Sequence, residues 1–162
     1  MILVNNKDIE VGYADKMAAH RNGLLHRAFS VILYCHYKGE KMTLLQQRAL
    51  SKYHGGGLWS NACCSHFLPG IDMIQTVKNR LEHELGISTE VNFLRKFKYK
   101  AQLGEMIENE IDYIFEGEIP YIKPKFNYNE VQDITWISCE ELQKISLDLK
   151  IFTPWAHLVY KG

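Results

Sequence analysis

Across 162 residues, nineteen Lys and Arg balance nineteen Asp and Glu, so the formal net charge is zero with the seven histidines neutral. This balance excludes a sequence-independent nucleic-acid binder, which needs a basic surplus, and a 46% hydrophobic content excludes a disordered chain. The length predicts one globular domain, residues 1–162.

The N-terminus has neither the basic region of a signal peptide nor the length of a membrane span. Four scattered cysteines are typical of a reducing cytosol, so we expect a cytoplasmic protein without membrane or nucleic-acid partners.

The first half of the chain is predicted to hold two strands, a loop and a helix. The strands are at residues 27–37 and 43–48, and the glycine run at 55–57 predicts a loop before an extended stretch of small residues. Apolar residues spaced by three and four predict a helix from Asp72 to Leu85. Asp72 is a suitable N-cap for it and Gly86 a suitable stop.

The second half continues with strands and shorter helices. Two strands joined around Gly104 are predicted between residues 90 and 117, and a further strand at 131–137. A capping box at Ser138 begins a helix that is predicted to run through about Leu149. Pro154, at a first helical position, starts a short final helix. This order of elements predicts an α+β fold with helices packed on a mixed sheet.

The segment Cys63-Cys64-Ser65-His66 is the first candidate for chemistry. In an extended segment, Cys64 and His66 point to one face and Cys63 to the other. Adjacent cysteines without CxxC spacing argue against a zinc finger, so a thiol beside a histidine could act as a nucleophile or proton donor. The alternative is that both cysteines are small buried hydrophobic side chains.

Carboxylates and histidines give two further candidates. Glu108 and Glu110 share one face of a predicted strand, where they could bind a hard metal or act as a base, or instead form a solvated strand edge. His20 and His26 need a turn at Asn22-Gly23 to approach one another, and otherwise are ordinary surface or hydrogen-bonded histidines. The remaining histidines, which show no partner pattern, are His36, His54, His83 and His157.

One face of the predicted central helix carries Thr76, Arg80 and Glu84, stacked at spacings of four. The ordinary explanation is an exposed Arg–Glu pair worth a few tenths of a kcal/mol. The functional explanation is that Arg80 meets an anion while Glu84 holds a divalent cation that bridges to it. Arg48 and Lys52, beside the glycine loop, add positive charge. Together these groups are what a diphosphate with Mg²⁺ requires.

These residues follow one another in an order that resembles a known family. The segments that carry the resemblance are Lys16–His20, His26–Ser30, Gln47–Lys52, Gly57–His66, Leu85-Gly86, Glu108–Glu110 and Thr153–Trp155. They resemble the type I isopentenyl diphosphate isomerases of the Nudix superfamily, over residues 3 to about 160. The resemblance implies a Nudix-like mixed β-sheet sandwiched between helices.

The resemblance also implies an activity in isoprenoid biosynthesis: isomerisation of isopentenyl diphosphate to dimethylallyl diphosphate, by protonation and deprotonation through a tertiary carbocation. The implied metal site, filled by Mg²⁺, Mn²⁺ or Zn²⁺, has the ligands His20, His26, His66, Glu108 and Glu110. A second Mg²⁺, on the diphosphate, is held by Glu84, and the cations around the diphosphate are Lys16, Arg48, Lys52 and Arg80. Cys64, as a thiolate, and Glu110 act on opposite sides of the double bond. Tyr99 lies beside the proton donor, and Trp155 faces the carbocation.

The chain departs from the Nudix signature in ways that bear on its function. In the positions of that signature, Ser65 replaces the Gly that is common to the family, Ile71 replaces the first Glu, and His83 replaces the penultimate Glu. Nudix hydrolases normally need several of these acids, which disfavours the alternative, hydrolysis of another diphosphate. A second alternative is a Nudix-fold binding module without turnover. The resemblance implies a small-molecule substrate as partner, and a monomer or weak homodimer.

Overall fold

The structure, a computed structural model, describes residues 1–52, 54–145 and 150–161. Its strands are β1 (Ile2–Val4), β2 (Glu10–Tyr13), β3 (His26–Tyr37), β4 (Glu40–Arg48), β5 (Trp59–Asn61), β6 (Cys63–His66), β7 (Asn92–Leu103), β8 (Met106–Glu118) and β9 (Val131–Ser138). Its helices are α1 (Lys16–Arg21), α2 (Met73–Leu85), α3 (Cys139–Lys144) and α4 (Ala156–Tyr160). No described helix combines the length and apolar character needed to cross a membrane.

The described strands join in one mixed sheet organised around β3. This strand pairs antiparallel with β1, β4 and β6, and parallel with β8. Strand β8 pairs antiparallel with β7, while β4 carries β5 and β9. The parallel pairing places the start of β3 beside the middle of β8, because His26 is the register partner of Glu110.

The two faces of β3 pack against different helices. Phe29, Val31 and Leu33 lie in the main core together with apolar residues of α2. On the opposite face, Ile32 packs against a smaller cluster that contains Val159 of α4. Because side chains alternate along a strand, one strand supplies both layers. Helices cover both faces of the sheet, which confirms the predicted α+β architecture.

Helix α2 begins and ends where the sequence predicts. The Asp72 side chain accepts a hydrogen bond from the Gln75 backbone N–H at 3.0 Å. Gly86 ends the helix in the left-handed region, with φ 63°, and its N–H donates to the Glu82 carbonyl. A Cβ at Gly86 would lie 2.9 Å from the Lys125 carbonyl oxygen, so the position requires glycine for space as well as for conformation.

The strands predicted at 27–37, 43–48, 90–117 and 131–137 are all present. Two helix boundaries differ from the prediction. Helix α3 ends at Lys144, whereas the predicted helix reached Leu149, and residues 146–149 lie outside the described residues. Helix α4 begins two residues after Pro154, because a turn in which the Ala156 N–H donates to the Thr153 carbonyl comes first. The unpredicted elements β1, β2 and α1 have only three to six residues each, too few for a periodic pattern.

Candidate active site and metal centre

One pocket brings together predicted residues from seven separate segments of the chain. Those that line it are Lys16, Arg48, Lys52, Cys64, His66, Arg80, Tyr99, Glu108, Glu110 and Trp155. His20 and His26 adjoin it, since their ring centroids lie 5.1 and 5.0 Å from the His66 ring. Glu84 lies one helical turn from Arg80 and contacts it. The predicted metal, proton-transfer and diphosphate groups therefore surround a single space.

A buried cluster of three histidines and two carboxylates forms the inner end of this pocket. One ligand atom from each of its members lies within 4.8 Å of all the others, and the members are His20, His26, His66, Glu108 and Glu110. His20 Nε2 is 3.2 Å from Glu108 Oε2. Glu110 Oε1 is 3.2 Å from His26 Nε2 and 3.0 Å from His66 Nε2. We call these five residues the His/Glu cluster.

Strand alternation explains how this geometry arises. Glu108 and Glu110 point to the same face of β8, as predicted, and both are buried because β3 and β7 flank the strand. The alternative of a solvated strand edge is therefore wrong. On β6, Cys64 and His66 line the pocket while Cys63 is fully buried in the main core. The alternative of two buried hydrophobic cysteines thus applies to Cys63 alone.

The histidine rings are oriented as metal ligands would be. His20 Nδ1 lies 2.7 Å from the Lys16 carbonyl oxygen and His26 Nδ1 lies 2.7 Å from that of Leu24. A carbonyl can only accept, so each Nδ1 carries a proton and each Nε2 faces the carboxylates. Burial lowers the pKa of His66 to about 4, which keeps its ring neutral. Three histidine nitrogens and two carboxylates form a donor set that suits a divalent cation, so the cluster could hold a metal ion.

Glu110 is held as a carboxylate, and Tyr99 as a phenol beside it. Burial favours the neutral acid, but contacts from His26 and His66 keep the pKa of Glu110 well below its ordinary value. The Tyr99 hydroxyl donates to Glu110 Oε2 at 2.6 Å. Burial, and then the adjacent Glu110, raises the pKa of Tyr99 well above its usual range. The pair therefore offers a proton acceptor with a fixed hydrogen-bond donor beside it.

Cys64 is held by hydrogen bonds on two sides. Its thiol lies 2.9 Å from Asn61 Oδ1, which accepts, and the Trp155 indole N–H donates to Sγ at 3.1 Å. Burial raises the pKa of Cys64 to about 11. The protein by itself thus carries a neutral thiol, whereas the resemblance implies a thiolate. A thiol and a carboxylate in one pocket can respectively give and accept a proton.

Four cations converge at the outer end of the pocket: Lys16, Arg48, Lys52 and Arg80. Partial burial, and then repulsion from the other three, lowers the pKa of Lys16. The Arg48 guanidinium lies 5.5 Å from the centre of the Trp155 ring, so this ring already faces a positive charge. Like charges held this close favour an anion among them. We call these four residues the cationic rim.

Glu84 is not part of an exposed ion pair. Its side chain is 4% exposed, because this face of α2 packs toward β4, where Gln46 Nε2 donates to Glu84 Oε2 at 2.9 Å. Arg80 contacts Glu84 and lies 3.4 Å from Glu130, which also pairs with Lys52. The ordinary explanation of this helix face is therefore wrong. Two cations of the rim, Arg80 and Lys52, therefore pair with carboxylates of the protein itself.

Sequence reasoning missed two ionisable residues of the pocket. Asp112 is 1% exposed, and its Oδ2 accepts a hydrogen bond from Ser30 Oγ at 2.9 Å. Its alternation with Glu108 and Glu110 was a signal that could have revealed it. His54 Nε2 lies 2.6 Å from Glu108 Oε1. A single histidine beside a glycine loop carries no periodic signal, so only the folded chain reveals this contact.

Comparison with known proteins agrees with this arrangement. Residues 24–156 match the NUDIX domain. Over 88% of this chain and 74% of the relative, the sequence is 40% identical to Isopentenyl-diphosphate Delta-isomerase 2 of Aromatoleum aromaticum. It is 36% identical to Isopentenyl-diphosphate Delta-isomerase of Serratia proteamaculans, over 99% of this chain and 89% of that protein.

Solved structures agree on the fold. Crystallised DR0079 from Deinococcus radiodurans has a TM-score of 0.73 at 16% identity, covering 98% of this chain and 95% of that one. The MutT protein from Methanosarcina mazei has a TM-score of 0.64 at 18% identity, covering 83% and 92%. The chain therefore belongs to the isopentenyl-diphosphate Delta-isomerase family, within the larger NUDIX family.

Proposed function

We propose that this protein isomerises isopentenyl diphosphate to dimethylallyl diphosphate through a tertiary carbocation. The observation that carries the proposal is the convergence of Cys64, Glu110 and a rim of four cations on one pocket. The names of the relatives point to the same reaction. Proton-transfer groups at the inner end and cations at the outer end match a substrate with an alkene at one end and a diphosphate at the other.

Moving the double bond adds one proton to the terminal methylene carbon and removes one from the carbon on the other side of the alkene. We assign these transfers to Cys64 and Glu110, which lie on different strands of the pocket wall. Tyr99 holds one oxygen of Glu110 in a hydrogen bond and leaves the other within the His/Glu cluster. General acid–base groups at fixed positions contribute roughly 10²–10⁴-fold each to such a reaction.

A tertiary carbocation needs an apolar, dry surrounding in which no water can trap it. Tyr99 and Trp155 supply buried aromatic surface, 9% and 5% exposed. The Trp155 indole N–H is anchored to Ser60 Oγ at 2.9 Å as well as to Cys64, which fixes the direction of the ring. An aromatic face stabilises a nearby cation by about 0.5–2 kcal/mol, most when water is absent.

The His/Glu cluster would hold one divalent ion, for which Mg²⁺, Mn²⁺ and Zn²⁺ are the candidates. Such an ion would neutralise two buried carboxylates and keep Glu110 in place. The diphosphate would bind at the cationic rim with a second Mg²⁺ held by Glu84. For this, Glu84 would exchange its contact with Arg80 for the ion, and Arg80 would be available to the diphosphate.

We propose that residues 1–162 form a single catalytic domain, because β1 and β9, from distant parts of the chain, belong to the same sheet. We further propose a cytoplasmic enzyme, a monomer or weak homodimer, whose partner is its small-molecule substrate.

Incubation of the purified protein with isopentenyl diphosphate and Mg²⁺ tests the proposal. The expected result is the acid-labile allylic isomer without release of phosphate or pyrophosphate. Release of either ion would instead favour the hydrolase alternative, which the side chains at Ile71 and His83 disfavour because neither is acidic. Binding of the substrate with no product of either kind would favour a binding module.

A further inference from the structure

His54 is a buried histidine of the pocket that lies outside the His/Glu cluster. Its side chain is 6% exposed, and its Nε2 lies 2.6 Å from Glu108 Oε1. The other oxygen of Glu108 faces His20 Nε2 at 3.2 Å. His54 therefore contacts one oxygen of Glu108 while the second oxygen faces the cluster.

The loop that carries His54 is built to hold it in this place. Gly55 and Gly57 have φ values of 60° and 80°, in the region that favours glycine. A Cβ at Gly56 would lie 2.7 Å from the Leu50 carbonyl oxygen, so the backbone passes too closely for any side chain. The His54 carbonyl accepts a hydrogen bond from Arg48 Nη2 at 3.3 Å. The backbone conformation of the glycine run therefore fixes the position of His54, which precedes it.

We propose that His54 is a positioning residue that orients Glu108 toward a metal ion in the His/Glu cluster. The proposal rests on the proposed function only in requiring that this cluster binds a metal. His54 does not belong to the set of ligand atoms that lie within 4.8 Å of one another. It therefore acts through Glu108, as outer hydrogen-bond partners of metal-ligating carboxylates do.

Removal of such a partner typically weakens metal binding by about 10- to 100-fold. Without His54, the Glu108 side chain would still reach the cluster, but its carboxylate would be free to rotate. His54→Ala removes the imidazole, whereas His54→Gln keeps an N–H donor on a side chain of similar reach. His36, whose side chain is 63% exposed on β3, provides a matched histidine for the control His36→Gln.

The experiment is a calorimetric titration of metal-free protein with Mn²⁺ alone, for the wild type and all three variants. We expect His54→Ala to bind about 10- to 100-fold more weakly, His54→Gln to recover most of the affinity, and His36→Gln to match the wild type. Thermal unfolding without metal verifies that each variant is folded. A folded His54→Ala protein with wild-type affinity, or a His54→Gln protein as weak as His54→Ala, would overturn the role of His54. A wild type that binds no Mn²⁺ would overturn the metal centre and this role with it.

Discussion

Among the described residues, the surroundings of Asp8 and the His/Glu cluster both bring carboxylates to basic groups, but they are built in opposite ways. On the surface, Asp8 contacts Arg27 at 2.8 Å, Lys96 at 2.5 Å and the Tyr113 hydroxyl. One carboxylate is thus surrounded by two permanent cations and a neutral donor. In the pocket, two carboxylates face three histidines, and the cations stand apart at the rim. We call the first group the Asp8 cluster.

The Asp8 cluster therefore has a role in stability, and the His/Glu cluster a role in function. In the Asp8 cluster the carboxylate already has cationic partners, so the cluster contributes to the free energy of folding in the free protein. The His/Glu cluster gathers two buried carboxylates and three histidines around one point, a donor set that a divalent cation would complete. Groups left incompletely paired inside a folded protein are typical of active sites.

The largest effect should come from the proton-transfer groups. Cys64→Ala and Glu110→Gln should each lower kcat about a thousandfold or more, because each removes one of the two transfers. Both should remain folded, since Glu110→Gln keeps the size of the side chain and Cys64→Ala removes only the sulfur atom. Turnover and thermal unfolding check this. Cys139→Ala, outside the pocket, is the control, and near-normal turnover in either pocket variant would contradict the assignment.

Metal binding should affect the two clusters differently. At a Mn²⁺ concentration 100 times its dissociation constant, the wild type should gain about 2.7 kcal/mol in free energy of unfolding, because the ion binds only the folded state. Glu108→Gln should gain far less, and Asp8→Asn as much as the wild type. Denaturant unfolding with and without Mn²⁺ measures each gain. Equal gains in the wild type and Glu108→Gln would place the ion elsewhere.

The cationic rim should control substrate binding more than turnover. Arg48→Met should raise KM for isopentenyl diphosphate roughly tenfold, since a charge-assisted contact contributes about 1.5–3 kcal/mol. Steady-state kinetics measure it, with Lys78→Met on the outer surface of α2 as the control. A loss confined to kcat would instead place Arg48 with the proton-transfer groups.

The smallest effect should come from the Asp8 cluster. Burial opposes ionisation of Asp8, but Lys96, Tyr113 and Arg27 hold its pKa below the usual value. A lowered pKa contributes stability that is present above the unfolded value, near 3.8, and is lost as pH falls through the folded value. Asp8→Asn should therefore lower the free energy of unfolding by about 1–2 kcal/mol at pH 7, and by progressively less below pH 4.

Asn tolerates the positive φ of 60° at position 8, so backbone strain does not confound this comparison. The exposed Glu105→Gln should show neither the loss nor its pH dependence. Denaturant unfolding between pH 3 and pH 7 measures both, and turnover should stay at the wild-type level throughout. A loss that is constant over this range would show that the Asp8 charge is not its source.

The sequence predicts those parts of the site that follow from alternation along a strand. A period of two places Cys64 beside His66, and Glu108 beside Glu110, whatever the rest of the fold does. The burial of Glu84 was not predictable in this way, because it depends on how α2 packs against β4. The contact of His54 with Glu108 likewise joins a loop to a distant strand. Local patterns carry no information about such contacts.

The parallel pairing of β3 with β8 also bears on how the protein folds. His26 and Glu110 are 84 positions apart, so the His/Glu cluster assembles only after this long-range pairing forms. Contacts of such sequence separation form slowly, after the local hairpin of β7 and β8. A metal ion that requires both strands stabilises the finished sheet more than the folding transition state. It should therefore slow unfolding while leaving the rate of folding nearly unchanged.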